Sequence, residues 1–371
     1  MPRFLIDTMR YLISGGGTGG HIFPAVSIAN ALKELDPEAE ILFVGALGRM
    51  EMERVPQAGY KIVGLPVRGF NRSQPWKNVS VLIDLAKSIR QVKRIIRDFR
   101  PDVGVGVGGY ASGAAMWAAA QMGIPILLQE QNSFAGVTNK ILKDKASKIC
   151  VAYEGMERFF PADKIILTGN PVRQNLTSGI KNEKLKKKNL LILGGSLGAR
   201  TINEAVMAAI GDQKSEVRDQ MSEIRVVWQT GKVYYERCKA AWEAAGCPAN
   251  IECLDFLTDM PDRYAQADLV ISRAGASSIS EICLLGKPAI LVPSPNVAED
   301  HQTHNAMALV HKDAAVLVKD SEATEKLIPT ALELIRDDNR LQALHTNVLT
   351  LAQRDSAKRI AEEVMKLARR E

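Results

Sequence analysis

Residues able to do chemistry gather in five short segments of this chain. The first is Gly15-Gly16-Gly17-Thr18-Gly19-Gly20-His21, between an apolar run and a helical stretch. Glycines there permit a tight turn with bare backbone amides. The helix start behind them adds partial positive charge, so the turn suits an anionic group. His21 falls in the first turn of that helix, where the dipole disfavours imidazolium and favours a neutral ring able to accept a proton. A purely structural histidine fits the same position. Gly108-Gly109-Tyr110-Ala111-Ser112-Gly113 and Gly194-Gly195-Ser196-Leu197-Gly198-Ala199-Arg200 repeat the strand-to-helix glycine turn. Ser272-Arg273-Ala274-Gly275-Ala276-Ser277-Ser278-Ile279-Ser280-Glu281 does so again. Its amides near Ala276, Ser277 and Ser278 suit a diphosphate. Glu281, one turn inside, could accept two hydrogen bonds from a ribose diol, or be a solvated helix glutamate. The last segment, Ala298 to Ala306, carries amide and hydroxyl side chains that suit sugar hydroxyls or a helix cap.

Gly15, Gly17 and Gly20 also satisfy G-x-G-x-x-G, the turn of dinucleotide-binding enzymes. That chemistry needs an acidic residue at the end of the second strand to hold ribose. The second strand here ends Phe43-Val44-Gly45-Ala46, the next charge is Arg49, and Asp36, Glu38 and Glu40 all precede the strand. A nicotinamide oxidoreductase is therefore the weaker reading.

The elements that must position these segments alternate in type. Short apolar runs at Tyr11–Ser14, Ile41–Gly45, Val103–Val107 and Ile126–Gln129 read as strands. Pro24–Leu35, Val81–Phe99 and Gly113–Met122 read as helices between them. Such alternation implies βαβ units and a parallel sheet. After a short strand at Ile166–Thr168, the polar, lysine-rich stretch Thr177–Asn189 reads as a linker or exposed loop. The pattern then restarts, with strands at Leu190–Leu193, Arg225–Trp228, Asn250–Leu254, Leu269–Ser272 and Ala289–Val292 and a helical stretch from Glu322 to Arg370. The expectation is α/β, with two doubly wound domains, a boundary near residues 170–188 and a ligand cleft between them.

At 371 residues the chain exceeds what one core usually organises, which agrees with two domains. Its net charge of +6 suits anionic partners: nucleotide phosphates, anionic lipid or nucleic acid. Nucleic acid is the weakest of these, because aromatic residues are only 5% and no basic-plus-aromatic pattern accompanies them. Five cysteines without a C-x-x-C pair read as reduced and structural. The N-terminal apolar run is short for a signal peptide, and no run reaches the roughly 18 apolar residues of a spanning helix. If the chain meets a membrane, it lies on it.

The segments GGGTGGHIFPAVSIANAL, GGYASG, QEQNSFAGVTNK, GNPVR, GGSLGAR, SRAGASSISEICLLGKPAILVP and AEDHQTHNA, in this order, cover both halves of the chain. Through them the chain resembles the MurG family of UDP-N-acetylglucosamine transferases. The resemblance implies the GT-B architecture: two Rossmann-like domains facing a cleft, with the donor held mainly by the second. It places an acceptor and membrane-side domain at residues 1–173 and a donor domain at 174–349. A terminal helix, about 350–371, would pack back on the first domain. By motif match, Thr18, Gly19 and Gly20 approach the sugar-phosphate end of the donor. Asn132 and Arg173 face the cleft, and Ser196 contacts the diphosphate. Leu257 stands where the main chain meets uracil. Ala276, Ser277, Ser278, Ile279, Ser280 and Glu281 wrap diphosphate and ribose, and Gln302 reaches the sugar hydroxyls. His301 precedes Gln302 where some members carry a second glutamine.

The implied reaction moves N-acetylglucosamine from UDP-GlcNAc to the C4 hydroxyl of N-acetylmuramic acid in lipid I, with inversion, giving lipid II for peptidoglycan. A base must take the hydroxyl proton; His21 is the first candidate and Glu130 the second. No cofactor is expected. The chain has no D-x-D motif to hold a metal, so helix N-termini, loop amides and Arg173 must stabilise the leaving diphosphate. The implied partners are UDP-GlcNAc, lipid I and an anionic membrane surface, with cell-wall synthesis proteins left open. The implied place is the cytoplasmic face of the membrane, as a peripheral protein. Lys87, Arg90, Arg94 and Arg97 share one helix face, and Phe70 and Trp76 precede it, flanked by Arg68, Arg72 and Lys77. That set suits an anionic leaflet, or is a solvated charged face. A UDP-sugar epimerase is the nearest enzymatic rival, and a non-catalytic membrane scaffold the non-enzymatic one.

Overall fold

The computed structural model describes residues 8–69, 78–172, 176, 187–195, 197–211 and 216–370. Phe70, Arg72, Trp76, Lys77, Arg173 and Ser196 lie outside the described residues, as does most of the lysine-rich stretch. The chain divides into two compact units, Met1–Val172 with Arg354–Glu371, and Arg173–Gln353.

The first unit is built on seven strands: β1 Arg10–Ser14, β2 Glu40–Ala46, β3 Lys61–Leu65, β4 Val103–Gly106, β5 Ile126–Glu130, β6 Lys148–Val151 and β7 Ile165–Leu167. They form one parallel sheet in the order 3-2-1-4-5-6-7. Parallel neighbours require crossovers, and the crossover helices cover both faces. Side chains alternate across each strand, so the two faces have separate cores. Leu12 of β1 joins Val92, Ile96, Ala115 and Met116 from the helices Asn78–Phe99 and Tyr110–Gln121. Tyr11 and Ile13 join Ile22, Ile28 and Leu32 of the helix Gly19–Leu35 on the other face. Strands buried on both sides need continuous apolar runs, which is why β1 and β5 show no polar alternation.

The last helix, Ser356–Arg369, belongs to this unit and packs against Gly19–Leu35. Ile360, Ala361 and Val364 are fully buried in the same core as Ile28. Arg359 donates to the carbonyl of Leu167 at 2.6 Å, tying the helix to β7.

The second unit has six parallel strands: β8 Asn189–Leu193, β9 Arg225–Gln229, β10 Ile251–Leu254, β11 Leu269–Ser272, β12 Ala289–Leu291 and β13 Val316–Leu317. Their order is 10-9-8-11-12-13. Trp228 is fully buried and donates its indole N–H to Asn203 at 2.9 Å. Asn203 in turn donates to the carbonyl of Thr230 at 2.8 Å, pinning the helix Arg200–Gly211 to the end of β9.

The strand order of each sheet reverses once, between β1 and β4 and between β8 and β11. At such a switch point the loops leaving the two strands diverge and open a ligand crevice at the carboxyl ends. The glycine turns lie there. Helices start earlier than the apolar periodicity suggests, at Gly19 rather than Pro24 and at Tyr110 rather than Gly113. The first turns are rich in glycine and small residues, so they carry little apolar signal although Ile22 and Ala111 are buried.

All five cysteines are free thiols. Burial pushes Cys150, Cys253 and Cys283 up to about 12 and Cys238 up to about 11, so these four stay protonated and unreactive. Among the described residues no helix is long and apolar enough to cross a membrane.

Ile360→Ala tests the docking of the terminal helix. It should destabilise the first unit by about 2–5 kcal/mol in urea unfolding, the cost of a cavity in a closed core. An unchanged transition would mean that the helix is dispensable to that core.

Candidate active site

In the first unit, β1 ends at Ser14 and the chain turns through Gly15–Gly17 into the helix that carries His21. The neighbouring turn after β4 interlocks with it. Gly16 donates to the carbonyl of Gly108 at 3.3 Å. A Cβ on Gly109 would sit 2.5 Å from the Gly16 oxygen, and one on Gly108 only 2.8 Å from His21 Nε2. Both residues have positive φ, 90° and 101°, so glycine is required twice over. His21 Nδ1 lies 3.0 Å from the Gly16 carbonyl and 3.5 Å from Thr18 Oγ1. A carbonyl only accepts, so this contact assigns the proton to Nδ1 and the lone pair to Nε2. The ring is arranged as a base at Nε2. Thr18 and Gly20 are exposed beside it and Gly19 is half-buried, so a ligand can reach all three.

Glu51, at the start of the helix Glu51–Gln57, is fully buried behind this turn. Its carboxylate accepts from Gly17 N–H at 2.9 Å and Ala46 N–H at 3.0 Å. The Gly17 amide therefore faces a carboxylate rather than a dinucleotide pyrophosphate, which weighs further against nicotinamide chemistry. Nothing in the sequence pattern marked Glu51, because it reads as an ordinary charge at a surface helix start.

Glu130, at the end of β5, is 2% exposed and accepts four hydrogen bonds. Oε1 takes Asn132 N–H at 3.1 Å and Asn132 Nδ2 at 3.4 Å. Oε2 takes Gly136 N–H at 3.0 Å and Asn139 Nδ2 at 2.9 Å. With its lone pairs engaged, the carboxylate is arranged to shape the loop 130–139 rather than to receive a proton. Gln131 donates to the Val107 carbonyl at 2.8 Å and also to Gln129 Oε1. Asn170 accepts from Gln129 at 3.0 Å and donates to the Gln131 carbonyl at 2.9 Å. The QEQN and GN segments are thus one buried amide network at the strand ends, and Asn132 sits half-buried on it. Asn139 and Asn170 were not singled out from the sequence. They lie inside the QEQNSFAGVTNK and GNPVR segments, whose other polar residues hide them.

In the second unit, the helix Ala276–Leu285 starts at the switch point with Gly275 as its cap and no side chain bonded to its first amides. Such amides suit an anion. Ala276, Ser277 and Ser278 are half-buried there, whereas the Ile279 side chain is core, so that residue can offer a ligand only its backbone. Ser280 Oγ donates back to the Ala276 carbonyl at 2.9 Å. Glu281 is 8% exposed and accepts from Tyr264 Oη at 3.2 Å, which orients its carboxylate. Arg273 ties β11 to the turn after β12, donating to the carbonyls of Val292 at 3.1 Å and Pro293 at 3.3 Å and pairing with Asp320. Gln302 Oε1 accepts from Ser294 N–H at 2.9 Å in that same turn region. Gln229, at the end of β9, donates to the Gly195 carbonyl at 3.0 Å and accepts from Leu257 N–H at 3.2 Å. A base reaching the Leu257 main chain therefore meets its carbonyl, or competes with Gln229 for its N–H. Among the described residues no three His, Cys, Asp or Glu side chains come together at metal-binding range.

Residues 11–151 match the glycosyltransferase family 28 N-terminal domain, and residues 189–363 its C-terminal domain. A protein of Bacteroides thetaiotaomicron is 60% identical, the match covering 98% of this chain and 99% of that one. One of Parabacteroides distasonis is 59% identical over 96% and 98%. Both bear the name UDP-N-acetylglucosamine--N-acetylmuramyl-(pentapeptide) pyrophosphoryl-undecaprenol N-acetylglucosamine transferase. Among solved structures, MurG of Acinetobacter baumannii is similar with a TM-score of 0.78, at 28% identity over 96% of this chain and 99% of that one.

Glu130→Gln separates a shaping role from a proton-accepting one. The new amide would direct a donor at groups that already donate, so the first unit should lose about 1–3 kcal/mol in urea unfolding. Unchanged stability would free the carboxylate from the loop and restore it as a candidate base.

Proposed function

The chain belongs to glycosyltransferase family 28, and from that premise we infer that it transfers N-acetylglucosamine from UDP-GlcNAc to lipid I. The acceptor is the C4 hydroxyl of N-acetylmuramic acid in undecaprenyl-pyrophosphoryl-MurNAc-pentapeptide, and the product is lipid II. The observation that carries the reading is the full-length match at 60% identity to a transferase of that name.

The geometry supports a mechanism for each half. His21 Nε2 removes the proton of the attacking hydroxyl while the Gly16 carbonyl holds Nδ1–H. The hydroxyl oxygen displaces UDP from the anomeric carbon in one step, so the α-linked donor gives a β-linked product. In the second unit the uncapped amides of Ala276–Ser278 bind the diphosphate and stabilise the charge it gains on leaving. Glu281, oriented by Tyr264, receives the ribose hydroxyls, and Gln302 meets the sugar. With these dipoles at the diphosphate and no D-x-D motif in the chain, the reaction runs without a metal or other cofactor. Arg173 and Ser196 are assigned to the leaving group by motif match alone.

The polyprenyl acceptor brings the enzyme to the cytoplasmic face of the membrane as a peripheral protein. Supporting this, Leu82 and Ile83 are exposed at 55% and 52% on the helix Asn78–Phe99. Ile83, Lys87, Arg90, Arg94 and Arg97 follow at helical spacing on one face, and all five are exposed. Apolar tips with basic neighbours suit an anionic leaflet, at about 1 kcal/mol for each basic residue.

UDP release from UDP-GlcNAc, measured with and without a lipid I analogue in EDTA, tests the reading. Release should require the acceptor and survive EDTA, and His21→Ala should lower it by about 10²–10⁴-fold. Release that ignores the acceptor would remove the transferase assignment, and release abolished by EDTA would remove the metal-free mechanism.

A further inference from the structure

Glu51 takes no part in the chemistry derived above, yet it is fully buried and both its oxygens are held by backbone amides. Burying a carboxylate on neutral partners is costly. Its position suggests what it does. The N–H of Gly17 and the C=O of Gly16 belong to one peptide unit. In a trans peptide they point in opposite directions. Glu51 Oε2 accepts from the N–H end at 2.9 Å, and His21 Nδ1 lies at the C=O end at 3.0 Å. One peptide plane therefore connects a buried carboxylate to the imidazole.

We propose that Glu51 is a positioning residue for His21, acting through the Gly16–Gly17 peptide to hold the ring in its Nδ1–H tautomer. Glycine on both sides leaves that peptide free to flip. Flipped, it would turn its N–H toward Nδ1, which would then have to accept, and the ring proton would move to Nε2 where the base is needed. Glu51 opposes the flip at one face, and the Gly108–Gly109 turn closes the other. The packing has little slack. A Cβ at Gly16 would collide with the Glu51 carboxylate, and one at Gly45 would lie 2.6 Å from Glu51 Cγ. Hydrogen bonds in such a chain also polarise one another, so the carboxylate strengthens the bond that the carbonyl makes to Nδ1–H.

The inference rests on His21 being the base of the proposed transfer, and the test reads the ring and the reaction separately. Full-length protein labelled with ¹⁵N-histidine is compared with Glu51→Gln, His21→Ala identifying the His21 signals. The native ring should show a protonated Nδ1 and an unprotonated Nε2 near neutral pH. Glu51→Gln should show a mixed or inverted tautomer. Its kcat for acceptor-dependent UDP release should fall at least about tenfold, a part of what a general base contributes. KM for UDP-GlcNAc should change far less than kcat, since the groups assigned to the diphosphate and ribose lie in the second unit. An unchanged tautomer in Glu51→Gln would overturn the proposal, and a fall in kcat that merely tracks a lowered Tm with the tautomer in place would do the same. A changed tautomer with unaltered transfer would leave the ring coupling intact and remove His21 as the base.

Discussion

The Gly16–Gly17 peptide is held at both ends, and the proposed role of His21 depends on it. On one side is a buried carboxylate and on the other an imidazole. The interlocked turn after β4 leaves no room for a side chain between them. This arrangement requires two strands whose carboxyl ends lie side by side while their loops diverge, which a doubly wound sheet provides only at its switch point. The order 3-2-1-4-5-6-7 is therefore a condition for the site, because it brings the turns after β1 and β4 together. The buried amide network of Gln129, Gln131 and Asn170 braces the adjacent strand ends in the same way.

The second unit repeats the topology with different chemistry. Its switch point presents a helix start whose amides have no side-chain cap, and nearby side chains hold the surrounding turns. Arg273 fixes the turn after β12, Gln229 links the loops after β8 and β10, and Tyr264 orients Glu281. In the proposed transfer the backbone dipoles of the second unit meet the phosphates and its side chains the hydroxyls, while the first unit moves the proton.

Much of this was legible from residue types. Strands buried on both faces must be apolar throughout, so β1, β4, β8 and β11 stood out. Turns that demand glycine announce themselves, and Gly108 and Gly109 do so through both φ and crowding. Less was visible at β3, β6 and β13, although the other edge strands, β7 and β10, read as strands; β13, at two residues, is too short for periodicity to register. The supporting side chains were the least visible. Glu51 and Glu53 lie two apart in one polar run, yet one is buried and the other exposed. The difference comes from a loop 34 residues away, which local pattern cannot report. Glu130 was legible as a polar residue in an apolar strand, but its four partners arrive from the loop that follows. A base and a buried loop organiser look alike until those partners are placed.

Group transfer with inversion leaves its record in the product. The protein would be incubated with UDP-GlcNAc and a lipid I analogue, and the lipid fraction examined by mass spectrometry and by the anomeric proton coupling in NMR. The acceptor should be heavier by one N-acetylhexosamine, joined by a β linkage to the C4 oxygen. An α linkage would contradict the single displacement. An unmodified acceptor beside an epimerised sugar would contradict the transfer itself.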